Sequence, residues 1–471
     1  MGGTAWLDRL RRVASHFDLP RKGFRPRQRR HDLKLVRLLV LLGIAAPMLA
    51  QYAGPAILSR GEAPTAISAP EVKFRPFVEF AAGYETNLTG VAVTDAQGKL
   101  PDLSSSTLSL VWGVSGAHSW RHTKIGLDYR GGLQDYRQQT TFDGISQSIL
   151  FSLTQQVTRH INLNIRESAG VFTRAFGQGS LAQTIPYDPS QSFIPTTDFF
   201  DNRTTYYDTQ VNLTIQKTAR LSFSMAGDYF LTRYRAAGLT GTDGLTAQGN
   251  TQYRLSRRTT IGANYSFGRF VAKHQYGDAE YHSMAATFAR ALSAKTEFSG
   301  SFGASRLEQT ALVSVPIDPV IAALLGIGSA TEISHLVTWV TSGGARLSKG
   351  FRQGVAYIGI SRGVNPGNGL FTTSISTDAS VGYTYTGLRR WSFGARGQYD
   401  RSKSVGNIQG NYNTAGVGFS ASRSLGHNAH LVFGYDLRSY DSGSFNNYNR
   451  VIQSAHFGIG FAPGDVPLRI W

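Results

Sequence analysis

Residues 145–157 read ISQSILFSLTQQV. Ile145, Ile149, Phe151, Leu153 and Val157 fall on odd positions, and Ser146, Ser148, Ser152, Thr154 and Gln156 on even ones. A period of two puts these sets on opposite faces of one extended strand. The next segment repeats it, with Ile161, Leu163 and Ile165 against Asn162, Asn164 and Arg166. So do Leu221, Phe223 and Met225 against Ser222, Ser224 and Asp228. Later, Trp391, Phe393, Ala395 and Tyr399 stand against Ser392, Arg396, Gln398 and Asp400. Leu431, Phe433, Tyr435 and Leu437 stand against Asp436 and Arg438.

Alternation alone is shared with soluble β-sandwiches, so other features must decide. From Phe74 onward the alternating segments run to ten or more residues, the length of a tilted strand crossing a bilayer; strands in globular sheets usually hold five or six. The polar face carries Ser, Thr, Asn, Gln, Asp and Arg together, as a wet interior requires. Connections alternate in length. Short turns are predicted near Ser119, Arg159, Lys217, Arg257, Ser293, Lys349, Leu388 and Gly426. Longer loops are predicted at 86–104, 137–143, 173–203, 234–243, 272–278, 308–331, 363–370, 402–409 and 441–448. These seventeen connections imply eighteen strands, an even number as single-chain barrels require. The predicted fold is an all-β, antiparallel up-and-down transmembrane barrel. Sixteen strands is the alternative, because Met284, Ala286 and Phe288 and their neighbours Ala285 and Ala289 put apolar residues on both faces of 278–307. Tyr and Trp near strand ends (Trp112, Trp120, Tyr129, Tyr136, Tyr206, Tyr207, Tyr229, Tyr399, Tyr440) are expected in aromatic girdles.

Composition removes other classes. The 471 residues include no Cys, which excludes disulfide scaffolds, Cys-ligated zinc and thiol nucleophiles. Aromatics at 11% and charges at 17% do not suit a disordered chain. The net charge of +18 does not indicate nucleic acid. Residues 1–37 hold eleven Lys or Arg against three Asp, and the remaining charge is spread with mixed sign rather than gathered on one face.

The N-terminal region reads as an address. RKGFRPRQRRHDLK (21–34) is basic, LLVLLGIAAPMLA (38–50) is a short apolar run, and Ala50 supplies a small residue. Residues 1–50 are expected to be a signal peptide with a long basic n-region. The alternative is an inner-membrane anchor over 38–58, which Pro47 and Gln51 disfavour. Residues 51–73 are expected to be a periplasmic linker, 74–461 the barrel and 462–471 a C-terminal tail.

FVEFAAGYETNLTG (77–90), with Gly83-Tyr84-Glu85-Thr86-Asn87 at its centre, resembles the first strand and loop of bacterial porin-like outer-membrane β-barrels. The resemblance in pattern covers roughly 74–461. It implies residence in the bacterial outer membrane of a Gram-negative cell, and relatives of that family occur near polysaccharide export systems. Trp471 resembles the terminal aromatic read by the barrel assembly machinery. The tail APGDVPLRIW departs from the pattern, since two prolines interrupt the last strand, and Phe457, Ile459 and Phe461 are the other candidates for that signal.

A barrel of sixteen to eighteen strands encloses an aqueous interior. The residues expected to line it are Glu79, Asp128, Arg130, Arg166, Asp228, Arg254, Arg396, Asp436 and Arg438. This mixture of signs predicts weak ion selectivity, slightly for anions, or else Arg–Asp bracing of the wall. The third long loop, 173–203, is expected to fold into the bore as a constriction, carrying Arg174, Asp188, Asp198, Asp201 and Arg203; an external flap is the alternative. PVIAALLGIG (319–328) reads as a short loop helix or a hydrophobic plug. An outer-membrane lipid hydrolase is disfavoured: His118-Ser119 and His282-Ser283 are adjacent pairs, and neighbours in a strand point to opposite faces. No Gly-x-Ser-x-Gly elbow, phosphate-cradling loop or metal-ligand spacing is present, so neither a cofactor nor a metal is expected. The reading is a passive channel for small hydrophilic solutes or saccharides, by diffusion or export. The alternative is a structural or surface-binding barrel with a blocked bore. Expected partners are outer-membrane lipid and lipopolysaccharide, the assembly machinery and a periplasmic export partner, but not nucleic acid.

Overall fold

The computed structural model describes residues 71–87, 104–138, 143–173, 203–235, 239–273, 276–317, 329–366, 373–405, 410–426, 428–442, 449–462 and 466–469. The first strands are β1 (Glu71–Glu85), β2 (Ser105–Ser119), β3 (Thr123–Tyr136), β4 (Gly144–Thr158), β5 (Ile161–Thr173) and β6 (Arg203–Gln216). Next come β7 (Leu221–Tyr234), β8 (Thr242–Arg254), β9 (Thr259–Ala272), β10 (Gly277–Ser293), β11 (Thr296–Pro316) and β12 (Ser329–Phe351). The last are β13 (Gly354–Pro366), β14 (Thr373–Tyr385), β15 (Trp391–Ser404), β16 (Asn411–Ser424), β17 (Ala429–Ser442), β18 (Arg450–Phe461) and the short β19 (Val466–Arg469).

From β1 to β18 each strand pairs antiparallel with its sequence neighbour, and β1 pairs with β18 from Val78↔Phe461 to Glu85↔Ser454, which closes eighteen strands on themselves. Closure satisfies backbone N–H and C=O groups strand to strand, which is what lets so polar a chain stand in hydrocarbon. The pairing runs past both expected ends. β19 pairs with Glu71–Phe74, so the final strand resumes beyond the expected boundary at residue 461. Four residues separate Phe461 from Val466, against three between Phe74 and Val78, and the extra residue lets the chain re-enter the ladder out of phase with β18.

The two faces follow the alternation. Phe302, Trp339 and Met284 stand outward at 76%, 70% and 69% exposure, with Phe80, Ile149, Ile358, Ile360, Phe433 and Phe457 on the same outer face. The ambiguous stretch resolves: Met284 and Phe288 are outward, while Ala285, Thr287 and the fully buried Ala289 share the inner face. Tyr136, Tyr206 and Tyr440 are corrections to the expected girdle. Register places them on the inner face, where they are buried, because position along a strand does not fix its face.

Short turns share a local device. Thr158, Thr218, Ser256 and Ser293 each accept, through the side-chain hydroxyl, the backbone N–H two residues on. That contact replaces a ladder bond and sets the reversal. Two connections differ from expectation. The turn predicted at Lys349 follows Phe351, and the loop predicted over 308–331 is shortened because β11 and β12 extend to Pro316 and back from Ser329. The alternation continues there, with Leu312 opposite Ile333 in register. The segment 319–328 lies outside the described residues.

Candidate functional site: the inner wall

Cross-strand register places all nine predicted lining residues on the inner face, opposite in parity to the exposed apolar rows. They are not one site. Asp128 and Arg130, two apart on β3, form a two-point ion pair, Nε to Oδ1 at 2.8 Å and Nη2 to Oδ2 at 3.1 Å. Asp436 pairs with Arg396 from β15, Nη2 to Oδ1 at 2.6 Å. Arg254 is spent on its own turn, donating to the carbonyls of Ser256 and Arg257 at 3.1 and 3.2 Å. Glu79 and Asp228 are each 2% exposed. Arg166 lies in one row with Gln210 and Asp228.

The inner wall also holds Asp208, Asp378 and Asp400, acids outside the expected lining set, of which only Asp400 was placed on a polar face by the alternation. Asp208 sits diagonal to Asp228 and is buried, and its Oδ2 accepts from Gln210 at 3.4 Å. Asp378 and Asp400 are direct cross-strand neighbours on β14 and β15. Hydroxyls of Ser361 and Ser376 donate to Asp378 at 3.4 and 3.1 Å, and Ser402 donates to Asp400 at 3.3 Å. The signal was present: Asp208 shares its parity with Thr204, Gln210, Asn212 and Thr214.

Large inner rings cover glycines of a neighbouring strand. Phe230 covers Gly244, Tyr281 covers Gly268, Tyr357 covers Gly382, and His456 covers Gly434. A side chain on any of these glycines would run into the ring, so glycine lets bulky residues hug the wall.

Of the predicted constriction residues, only Arg203 is described. It opens β6 on the outer face, exposed, and its carbonyl accepts the Arg235 N–H at 3.0 Å. Arg174, Asp188, Asp198 and Asp201 lie outside the described residues, as does Trp471. His282 faces outward, its Nδ1 2.8 Å from Tyr265 Oη, while Ser283 faces inward, its hydroxyl 3.2 Å from that of Ser342. The strand thus points the two side chains apart. The motif at 83–87 lies at the closure. Thr86 N–H donates to the Gln453 carbonyl at 2.9 Å, Asn87 Nδ2 donates to the Val451 carbonyl at 2.7 Å, and Ser454 Oγ donates to Glu85 at 3.2 Å.

No protein-family model matches the chain, and no curated protein matches it. Among solved structures it is similar to Pseudomonas aeruginosa OccK2 (OpdF), with 11% identity over 84% of this chain and 98% of that one and a TM-score of 0.41. The same protein in complex with glucuronate gives 12% identity, 84% and 98% coverage and a TM-score of 0.40. Acinetobacter baumannii OccAB2 gives 11% identity, 83% and 97% coverage and a TM-score of 0.39. Closed strand to strand, apolar outside and rich in polar and charged residues within, the chain is an eighteen-stranded antiparallel up-and-down β-barrel.

Proposed function

We propose that the chain is an outer-membrane channel through which small hydrophilic solutes or saccharides move passively. One observation carries this: a closed eighteen-strand wall turns Arg130, Arg396, Asp128, Asp436, Asp378 and Asp400 toward its interior. Eighteen strands enclose more volume than wall side chains fill, so such a face borders water. The charged lining residues are Glu79, Asp128, Arg130, Arg166, Asp228, Arg254, Arg396, Asp436 and Arg438, joined by Asp208, Asp378 and Asp400. Fixed charge of both signs, partly neutralised in Asp128–Arg130 and Arg396–Asp436, supports weak ion selectivity. Transport needs no cofactor; lipid and lipopolysaccharide surround the barrel.

The test is purified protein in planar bilayers, with liposome swelling over a sugar series. Stable conductance, graded swelling by sugar size and a reversal potential near zero in a salt gradient are expected. A silent protein favours the blocked, structural barrel, a reading that the burial of Glu79 and Asp228 also supports.

A further inference from the structure

The longest gap in the ladder among the described residues lies between β12 and β13. Their pairing stops at Gly343↔Arg362. Beyond it, Ser329–Ser342 of β12 pairs with β11, and Gly363–Pro366 of β13 pairs with β14. Gly343 adopts a φ of 157°, and a Cβ there would run into the Ser301 carbonyl. Glycine is the residue that lets β12 bend away at this point.

The side chains beyond the gap define the arrangement. Val364 shares the outer face of β13 with Ile358 and Ile360. Ile375 shares the outer face of β14 with Val381 and Tyr383. Val405, one residue past β15, donates its N–H to the Thr373 carbonyl at 3.2 Å. All three belong to one apolar cluster with Phe230, Phe270, Ala279, Leu307 and Tyr281. Those five lie on the inner faces of β7, β9, β10 and β11. The outer face of a wall can meet the inner face of the same wall only where one edge passes inside the other.

We infer that the wall is lapped here: the long-loop ends of β13–β15 sit inside the β11–β12 hairpin, and this lap is the constriction and gate of the bore. The inference rests on the channel reading. Leu307 and Ala279, at 0% and 2% exposure, are covered by the lapping edge. The other neighbouring strands are joined by backbone ladders along most of their length, and such ladders resist sliding. Above Gly343 no β12–β13 ladder is formed among the described residues, and the joint is apolar contact. Apolar contact is non-directional, so it can slide or part without orphaning a backbone group. An apolar constriction also gates by excluding water.

The chain has no cysteine, so an introduced thiol is unique. Single-channel conductance of the triple variant Val364→Ala, Ile375→Ala, Val405→Ala is compared with the parent after both pass the heat-modifiable gel test of closure. Conductance should rise. Val405→Cys should react more slowly with a charged, membrane-impermeant thiosulfonate than Ser380→Cys, whose site is exposed on the inner wall, and the adduct should change conductance. Equal conductance of parent and triple variant overturns the gate and leaves the channel standing, as does equally fast labelling at both cysteines. A silent parent with a conducting triple variant supports a bore shut by the lap. Silence from both overturns the channel reading and the gate together.

Discussion

Arg396 on β15 and Asp436 on β17 are ion-paired across the strand that separates them, Nη2 to Oδ1 at 2.6 Å. Arg396, Gly418 and Asp436 occupy one cross-strand row, so the middle position of the row is a glycine. Two strand spacings, about 9–10 Å, would keep these side chains apart if a third stood between them. A Cβ on Gly418 would run into Asp436 Oδ1 and lie 2.6 Å from Arg396 Nε. Gly418 is therefore the slot in which the pair lies. Gly418→Ala and Arg396→Ala are each expected to destabilise the barrel by about 1–3 kcal/mol, since either leaves the buried Asp436 short of its partner. The double variant should lose less than the sum, because both remove one interaction. Urea unfolding in lipid vesicles checks this; additive losses would show that Gly418 serves something other than the pair.

Neighbouring residues on β14 test the sidedness of the wall. Val381 is 51% exposed on the outer face, and Ser380 is exposed on the inner one. Val381→Arg is expected to cost about 2–4 kcal/mol, the range for an arginine facing lipid near the midplane. Ser380→Arg should be near neutral for stability and should shift the reversal potential toward anions. The same unfolding assay and a bilayer recording read both. Equal stability losses at the two sites would contradict the assigned faces.

Face assignment was legible because parity is local: Phe151 and Ser152 declare their sides without knowledge of any partner. The same logic fixed the strand count from turns and loops. What could not be read depends on residues distant in the chain. Arg396 finds Asp436 rather than a near neighbour only because three strands settle into a register that brings Gly418 between them. The lap behind β12 needs Gly343, Val364 and Leu307 to be placed together, and no period in the sequence relates them. Tyr136 and Tyr440 were misread for the opposite reason. Their nearness to strand ends was weighed above the parity that turns them inward. β11 and β12 run into the stretch expected as the loop 308–331, and Leu312 and Ile333 keep the outward phase there.

The ring-on-glycine contacts separate glycines that make room from glycines that merely occupy a strand. A Cβ on Gly268 would run into the Tyr281 ring, whereas one on Gly249 meets nothing within 4 Å. Gly268→Ala should destabilise by about 1–3 kcal/mol, the usual cost of overpacking. Gly249→Ala should stabilise by roughly 0.5–1 kcal/mol, because alanine loses less backbone entropy in a strand. Paired unfolding curves give the sign directly. A stabilising Gly268→Ala would mean that Tyr281 has room to move aside.

Asn87 is where the closing contact between β1 and β18 can be tested with one residue. Its φ of 54° lies in the left-handed region, which asparagine and glycine tolerate and alanine does not. Its Nδ2 donates to the Val451 carbonyl, and beside it Gln453 N–H donates to Thr86 Oγ1 at 3.1 Å. Asn87→Gly keeps the backbone conformation and loses the side-chain bond, a cost of about 0.5–1.5 kcal/mol. Asn87→Ala loses the bond and adds left-handed strain of about 1–2 kcal/mol. The temperature at which the folded gel band disappears should fall in the order parent, Asn87→Gly, Asn87→Ala. If the glycine variant matches the parent while the alanine variant falls, the asparagine is needed for its backbone alone. If neither moves, the ends of the sheet are held by the ladder, and the 83–87 motif contributes nothing measurable to closure.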